Sequence, residues 1–167
     1  AFYSEDDPAH LSSVARSFIA GVLRHARASS IVLNQWVNSY RRLVPGTEAP
    51  AFISWAHTNR ADLVRVPKPK PGHAENARVE VRAPDSACNA YLALAVILAA
   101  GLDGVEGGWS PPEPVEQNVF NMSAEDRARR GIQELPQDMG EALRHAMKDS
   151  FCEKVFGSFA WNIYLEN

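Results

Sequence analysis

Cysteine is scarce in this chain. Cys88 and Cys152 are its only two, and they lie far apart with neither a CxxC pair nor a spaced framework. That argues against a disulfide-stapled secreted scaffold and points to a cytosolic protein whose two thiols pack as small buried residues. Long apolar runs are also missing: the longest, Tyr91 to Leu102, is too short to cross a bilayer. The N-terminal Ala1-Phe2-Tyr3-Ser4-Glu5-Asp6-Asp7 has no basic region leading into an apolar one, so no membrane association and no export are expected, and the expected compartment is the cytoplasm. An initiator methionine is lacking too, which suggests that the natural chain begins earlier. There is no internal repeat and no low-complexity tract. The histidines form no ligand pair at helical spacing, so none is assigned to a metal.

What is there suffices for one sizeable core, since 167 residues carry 46% hydrophobic side chains. The formal charge of −3 hides an asymmetry. Between Asn38 and Arg82, Arg41, Arg42, Arg60, Arg65, Lys68, Lys70, Arg78 and Arg82 outnumber Glu48, Asp62, Glu75 and Glu80. A basic segment in an otherwise acidic chain suggests a local anion site and argues against a nucleic-acid surface, which is usually broadly basic.

Leu11, Val14, Phe18, Val22 and Ala26 recur at spacings of three and four, which predicts an amphipathic helix over residues 10–28 with Arg16, Arg24 and Arg27 in solvent. Residues 31–40 are ambiguous. Val44-Pro45-Gly46-Thr47-Glu48-Ala49-Pro50 reads as a loop, followed by strands over 51–55 and 63–66. The prolines and lysines of 68–73 impose a turn. In Arg78-Val79-Glu80-Val81-Arg82 the period is two, so the valines share one face and the three charged residues the other. Asp85 or Asn89 is positioned to cap a long apolar helix from Asn89 to about Val105, which its composition makes a central core element. Residues 107–114 read as a loop. Asp138 starts a helix through Ala142, Leu143 and Met147, and Phe151, Val155, Phe156 and Phe159 form a last apolar stripe. Trp36 and Trp55 are expected to pack, with Trp55 placed to border a nucleotide pocket.

Taken alone, a strand face of Arg, Glu and Arg suits an exposed surface with cross-strand ion pairs. Arg42, Arg60 and Arg65 change that reading. Five arginines around one carboxylate suit phosphates and carboxylates, which accept paired guanidinium hydrogen bonds, and leave Glu80 to bind a divalent cation. Phosphoryl transfer needs such parts, because catalysis there is mostly positioning and electrostatic stabilisation.

Three runs carry a family resemblance. Residues 38–50, Asn-Ser-Tyr-Arg-Arg-Leu-Val-Pro-Gly-Thr-Glu-Ala-Pro, resemble the NSYKRLVPGYEAP signature of glutamine synthetases. Asn59-Arg60 with Arg65-Val66-Pro67 resembles the NR-to-RxP run, and residues 78–93 resemble RIExRxPDPxANPYLA, leading into Ala100-Gly101-Leu102-Asp103-Gly104. Order and spacing agree, and weaker similarity extends from Phe2 to Asn167.

The resemblance, of type I-like character, implies an α/β (α+β) fold: part of the catalytic domain, with a curved antiparallel sheet backed by helices. The N-terminal β-grasp domain, the early catalytic-domain strands and the extreme C-terminal tail are absent from residues 1–167. It implies an ATP-dependent glutamate–ammonia ligase of nitrogen metabolism, making glutamine through γ-glutamyl phosphate in a homo-oligomeric full-length parent, with this piece inactive alone. Arg42 and Arg82 would hold glutamate, and Arg60 would serve the transferring phosphoryl group and ammonia attack. Arg65 and Arg78 would contact ATP phosphates, Glu80 would ligate Mg²⁺ or Mn²⁺, and Glu48 would be the flap carboxylate that takes a proton from ammonium. Thr47 stands where the family has Tyr, and Ala90 where it has Pro. Asn118-Val119-Phe120-Asn121-Met122 matches the NLYDL loop whose Tyr is nucleotidylated in some bacterial members, and Phe120 has no hydroxyl. A γ-glutamyl-amine ligase, acting on a polyamine or other amine, and a non-catalytic nucleotide-binding homologue stay open as alternatives.

Overall fold

The computed structural model describes residues 1–47, 49–70 and 72–166. Ser12 opens α1 (Ser13–Arg24) by accepting the Ala15 N–H on its hydroxyl. The expected single helix is two: His25 breaks it, with its N–H turned back to the Gly21 and Leu23 carbonyls, and α2 (Ala26–Leu33) continues beyond the expected end. The buried stripe is also rotated from the expected one. Ala15, Ile19, Val22 and Leu23 face the core, while Val14 is exposed.

The cause of that rotation is α3 (Ala90–Glu106), which crosses α1 at Gly21, Gly101 and Gly104. A Cβ on Gly21 would collide with the Ala100 carbonyl, and one on Gly101 with the Phe18 ring. The two backbones approach along this line only because side chains are missing from it. The arginines of this region are not simply solvated. Arg16 pairs with Asp7 at 2.6 Å, the Arg24 guanidinium lies 4.2 Å above the Trp109 ring centre, and Arg27 Nε donates to the Glu134 carbonyl.

Asn89 caps α3, accepting from Tyr91 and Leu92 N–H, while Asp85 closes the preceding turn on Ala87 N–H. The helix is less central than its composition suggests. Its side away from α1 leaves Tyr91 87% and Leu94 60% exposed, with Leu98 and Leu102 on the same face. An all-apolar helix normally has neighbours on every side, so this face is one that the described residues do not themselves cover.

The sheet has the order β3-β2-β1-β4, with β1 Phe52–Ala56, β2 Asp62–Arg65, β3 Glu80–Val81 and β4 Gln133–Glu134. It is mixed, which corrects the all-antiparallel expectation: β1 and β2 run parallel, and β2–β3 and β1–β4 are antiparallel. A parallel neighbour so close in sequence needs the chain to double back by roughly 13 Å, which the extended reach of residues 57–61 permits. Those residues are pinned in place. Asn59 donates to the Gln117 carbonyl and accepts from Ala61 N–H, and Glu116 takes hydrogen bonds from His57 and Thr58. Val115 N–H in turn bonds the Trp55 carbonyl, so the segment around 112–117 locks the return loop against β1.

The main core lies between this sheet and the helices, around Ile19, Val32, Leu63, Val96 and Leu135. A smaller cluster gathers Phe52, Val115, Val119 and Met122, with Phe120 packed on its edge. Trp55 is buried and donates its indole N–H to the Pro112 carbonyl, so it packs as expected; Trp36 is exposed, which corrects the packing role foreseen for it. Asp138 caps α5 (Met139–Lys148) through Glu141 N–H, but Ala142 and Ala146 are its buried residues and Met147 is exposed. The final stripe is cut by Gly157, at φ 77°, into α6 (Phe151–Phe156) and α7 (Ser158–Glu166). Cys152 is buried and Cys88 half-buried, and both are free thiols. A short α4 (Ala124–Arg129), capped by Ser123, and β4 have no counterpart in the sequence expectation.

Candidate active site

The β2–β3 register places Arg65 opposite Glu80 and Val64 opposite Val81. Residues opposite one another in a ladder share a face, and Arg82, two residues beyond Glu80, returns to that same face. The geometry follows. Arg65 Nη1 lies 3.1 Å from Glu80 Oε2, and Arg82 Nε lies 3.1 Å from Glu80 Oε1. Val79 and Val81 pack against the main core on the other side, as the alternation requires. Glu80 thus holds one guanidinium on each carboxylate oxygen, and its side chain is the most open of the three at 38% exposure.

Arg42 comes to the same neighbourhood from a different element. It follows the 3-10 turn Val37–Arg41, and its Nη2 donates to Asn34 Oδ1 at 3.2 Å and to the Ala83 carbonyl. Burial pushes its pKa down, and the nearby Arg82 charge does the same, against the pull of Asp85. Two guanidinium groups close enough to repel favour an anion between them.

The remaining sequence candidates are placed differently. Arg60 is exposed in the β1–β2 loop, and Arg78 is exposed just before β3 with its guanidinium on the Asn76 carbonyl. Arg78 therefore shares the strand segment of Glu80 and Arg82 without joining their hydrogen-bonded cluster among the described residues. Glu48 lies outside the described residues. The turn leading to it is defined: Gly46 adopts φ 91°, and the Thr47 hydroxyl donates to the Arg42 and Val44 carbonyls. The loop is consequently anchored on Arg42 itself.

Two residues near the cluster went unnoticed in the sequence. Asn34, at the end of α2, is fully buried beside Arg42. Asp62, at the start of β2, is 0% exposed and neither carboxyl oxygen closes a hydrogen bond among the described residues, although the buried Ser54 hydroxyl adjoins it. Burial foremost pushes the Asp62 carboxyl up to about 7, Glu116 adds to the rise, and Ser54 and Arg82 oppose it. The one sequence signal for Asp62 is an acid heading the apolar run Leu63-Val64.

No group of three His, Cys, Asp or Glu able to hold a metal exists among the described residues. Glu80 alone offers a carboxylate in the cluster, which fits one ligand of a hard divalent cation that takes its remaining oxygens from phosphates or elsewhere. No helix among the described residues is long and apolar enough to cross a membrane.

Comparison with known proteins identifies the family. Residues 1–167 match the family described as "Glutamine synthetase, catalytic domain". The chain is 50% identical over 167 residues to a glutamine synthetase of Mycolicibacterium smegmatis, covering all of this chain and 37% of that protein. It is 45% identical over 166 residues to a glutamine synthetase of Thermotoga maritima, covering 99% of this chain and 37% of that protein. A solved structure described as "GmaS/ADP complex-Conformation 1" superposes with a TM-score of 0.75 at 30% identity, over 99% of this chain and 40% of that one. The chain therefore spans little more than a third of the length of these relatives, and it belongs to the glutamine synthetase catalytic-domain family.

Proposed function

We propose that the full-length protein is an ATP-dependent glutamate–ammonia ligase, and that these residues are the C-terminal part of its catalytic domain. The observation that carries this reading is the Arg65–Glu80–Arg82 clamp with Arg42 beside it. It supplies paired guanidinium donors for carboxylate and phosphate and one carboxylate for a cation, in the positions that the family resemblance gives to those roles.

In this reading Arg42 and Arg82 hold glutamate, Arg65 and Arg78 meet the ATP phosphates, and Arg60 steadies the phosphoryl group in transfer. A glutamate γ-carboxylate oxygen attacks the γ-phosphorus of ATP, the bond to the β-phosphate oxygen breaks, and ADP leaves. Ammonium gives a proton to Glu48, the resulting ammonia attacks the acyl carbon, and phosphate departs to leave glutamine. Mg²⁺ or Mn²⁺ held by Glu80 would supply charge neutralisation on the phosphates. γ-Glutamyl phosphate hydrolyses in water, which gives the Pro45-Gly46 loop a second task of excluding solvent. Carboxylates from outside these residues would complete the metal site, so residues 1–167 are inactive alone.

Relatives at 45–50% identity that carry the name glutamine synthetase support ammonia as the nitrogen donor, and the ADP in the GmaS structure supports nucleotide binding. The uncovered apolar face of α3 supports assembly with further protein, and a homo-oligomer is the form proposed. The test is glutamate-dependent ADP release by the full-length protein with ammonium, methylamine or a polyamine. Ammonium should give the highest kcat/KM. Turnover confined to an organic amine would make it a γ-glutamyl-amine ligase, and nucleotide binding without turnover would make it a non-catalytic homologue.

A further inference from the structure

The side chain of Asn34 is fully buried. Burying an amide is unfavourable unless its polar atoms are used, and only half of this one is: Oδ1 accepts from Arg42 Nη2 at 3.2 Å, while Nδ2 has no partner among the described residues. Helix termination does not require the side chain either, because the backbone N–H of Asn34 already donates to the Ser30 carbonyl at 2.8 Å. Among the described residues, the sole polar service of the Asn34 side chain is therefore to Arg42.

That service has a definite geometry. Asp85 N–H bonds the Leu33 carbonyl at 2.9 Å, stitching the end of α2 to the segment that follows β3. Ala83, in that segment, offers its carbonyl to the same Nη2 that Asn34 holds. Arg82, which clamps Glu80, immediately precedes it. The Arg42 guanidinium is thus fixed between two elements whose relative position is itself locked.

The chemical type of the partner matters as much as its place. Arg65 and Arg82 share the charge of Glu80, whereas no ion pair within 4.0 Å ties Arg42 to a carboxylate among the described residues. An amide oxygen and a peptide carbonyl orient the guanidinium without neutralising it. A carboxylate in the place of Asn34 would hold the same nitrogen and cancel the charge needed by an incoming anion.

We infer that Asn34 is the positioning residue for Arg42, aiming its guanidinium at a carboxylate of the substrate while leaving it without a directly paired carboxylate, the charge of Asp85 acting on it only from beyond ion-pair distance. The inference rests on the reading that Arg42 holds glutamate. It assigns to Asn34 a role in substrate affinity and none in the chemical step.

The experiment is steady-state kinetics on the full-length enzyme, with KM for glutamate and for ATP measured separately. Asn34→Ala should raise KM for glutamate roughly tenfold, the scale of one hydrogen bond to a charged group, with ATP KM and kcat within about twofold. Asn34→Asp should raise it as much or more, because the new carboxylate pairs with Arg42. Asn34→Ser, which keeps an acceptor, should recover most of the affinity and also serves if the alanine variant folds poorly. In an Arg42→Lys background, Asn34→Ala should add little. If Arg42→Lys weakens glutamate binding while Asn34→Ala does not, or if their effects simply add, the positioning role is overturned. If Arg42→Lys leaves KM for glutamate unchanged, the substrate reading itself fails, and the positioning role with it.

Discussion

Arg65 stands directly across the β2–β3 ladder from Glu80, and its guanidinium reaches one carboxylate oxygen while Arg82 takes the other. Three side chains on one face of the β2–β3 pair therefore form a cluster with its carboxylate turned partly to solvent. Glu80→Gln keeps the shape and removes the charge. It should cost less than about 1 kcal/mol of stability, since the pairs are part-exposed. Its activity should fall on the order of a hundredfold and shift to higher Mg²⁺ concentration, because the lost charge is the one a cation needs. Thermal unfolding and a metal titration of the full-length variant would check both, and an unchanged metal dependence would count against Glu80 as a ligand.

Asp62 makes the chain's stability depend on pH. Its folded pKa of about 7 lies above the unfolded value of roughly 3.9, so the folded state holds a proton that the unfolded state has lost between those values. Stability from this group is accordingly intact below about pH 4, declines as pH rises toward 7, and is flat beyond. Asp62→Asn should abolish that decline and raise the unfolding midpoint at pH 8 by several degrees, on the order of 5 °C. Melting curves from pH 5 to 8.5 read it directly; parallel profiles for variant and parent would show that Asp62 is not protonated in the fold.

Glu48→Ala in the full-length protein should leave ATP affinity nearly intact and slow amide formation far more than glutamate activation, because it removes a proton acceptor and no phosphate contact. Nucleotide titration beside single-turnover kinetics separates the two effects. Equal losses in binding and turnover would make Glu48 a structural residue.

Phe120 packs with its ring centre 6.0 Å from that of Phe52, at the edge of the smaller core cluster. Nucleotidyl transfer needs an oxygen nucleophile, which a phenyl ring lacks. Incubation of the full-length protein with a nucleotidylating enzyme and ATP should leave the intact mass unchanged. AMP mapped to residues 115–125 would refute this.

The elements that could be read from sequence were those whose signals are local. Asn89 and Asp138 cap helices that begin where their side chains dictate, and the alternation in 78–82 put Glu80 and Arg82 opposite the valines. The parallel pairing of β1 and β2 was not readable, because it depends on Asn59 and Glu116, far apart in the chain, closing the return loop. His25 breaks the first helix without proline or glycine to announce it, and α3 rotates α1 through glycine contacts that periodicity does not register. Within the site, the placement of Arg65 and Arg82 beside Glu80 was legible by type and spacing, whereas Arg60 and Arg78 lie outside that hydrogen-bonded cluster. Asn34 was not legible, since its meaning comes only from the Arg42 guanidinium that folding brings to it.

The central claim is that the parent enzyme activates glutamate by phosphorylating its γ-carboxylate. Full-length protein turned over with ATP, ammonium and glutamate labelled with ¹⁸O in the γ-carboxylate, followed by mass analysis of the released phosphate, tests it most directly. The account predicts phosphate carrying one ¹⁸O atom from glutamate for each glutamine formed. Unlabelled phosphate alongside continued ATP consumption would contradict it.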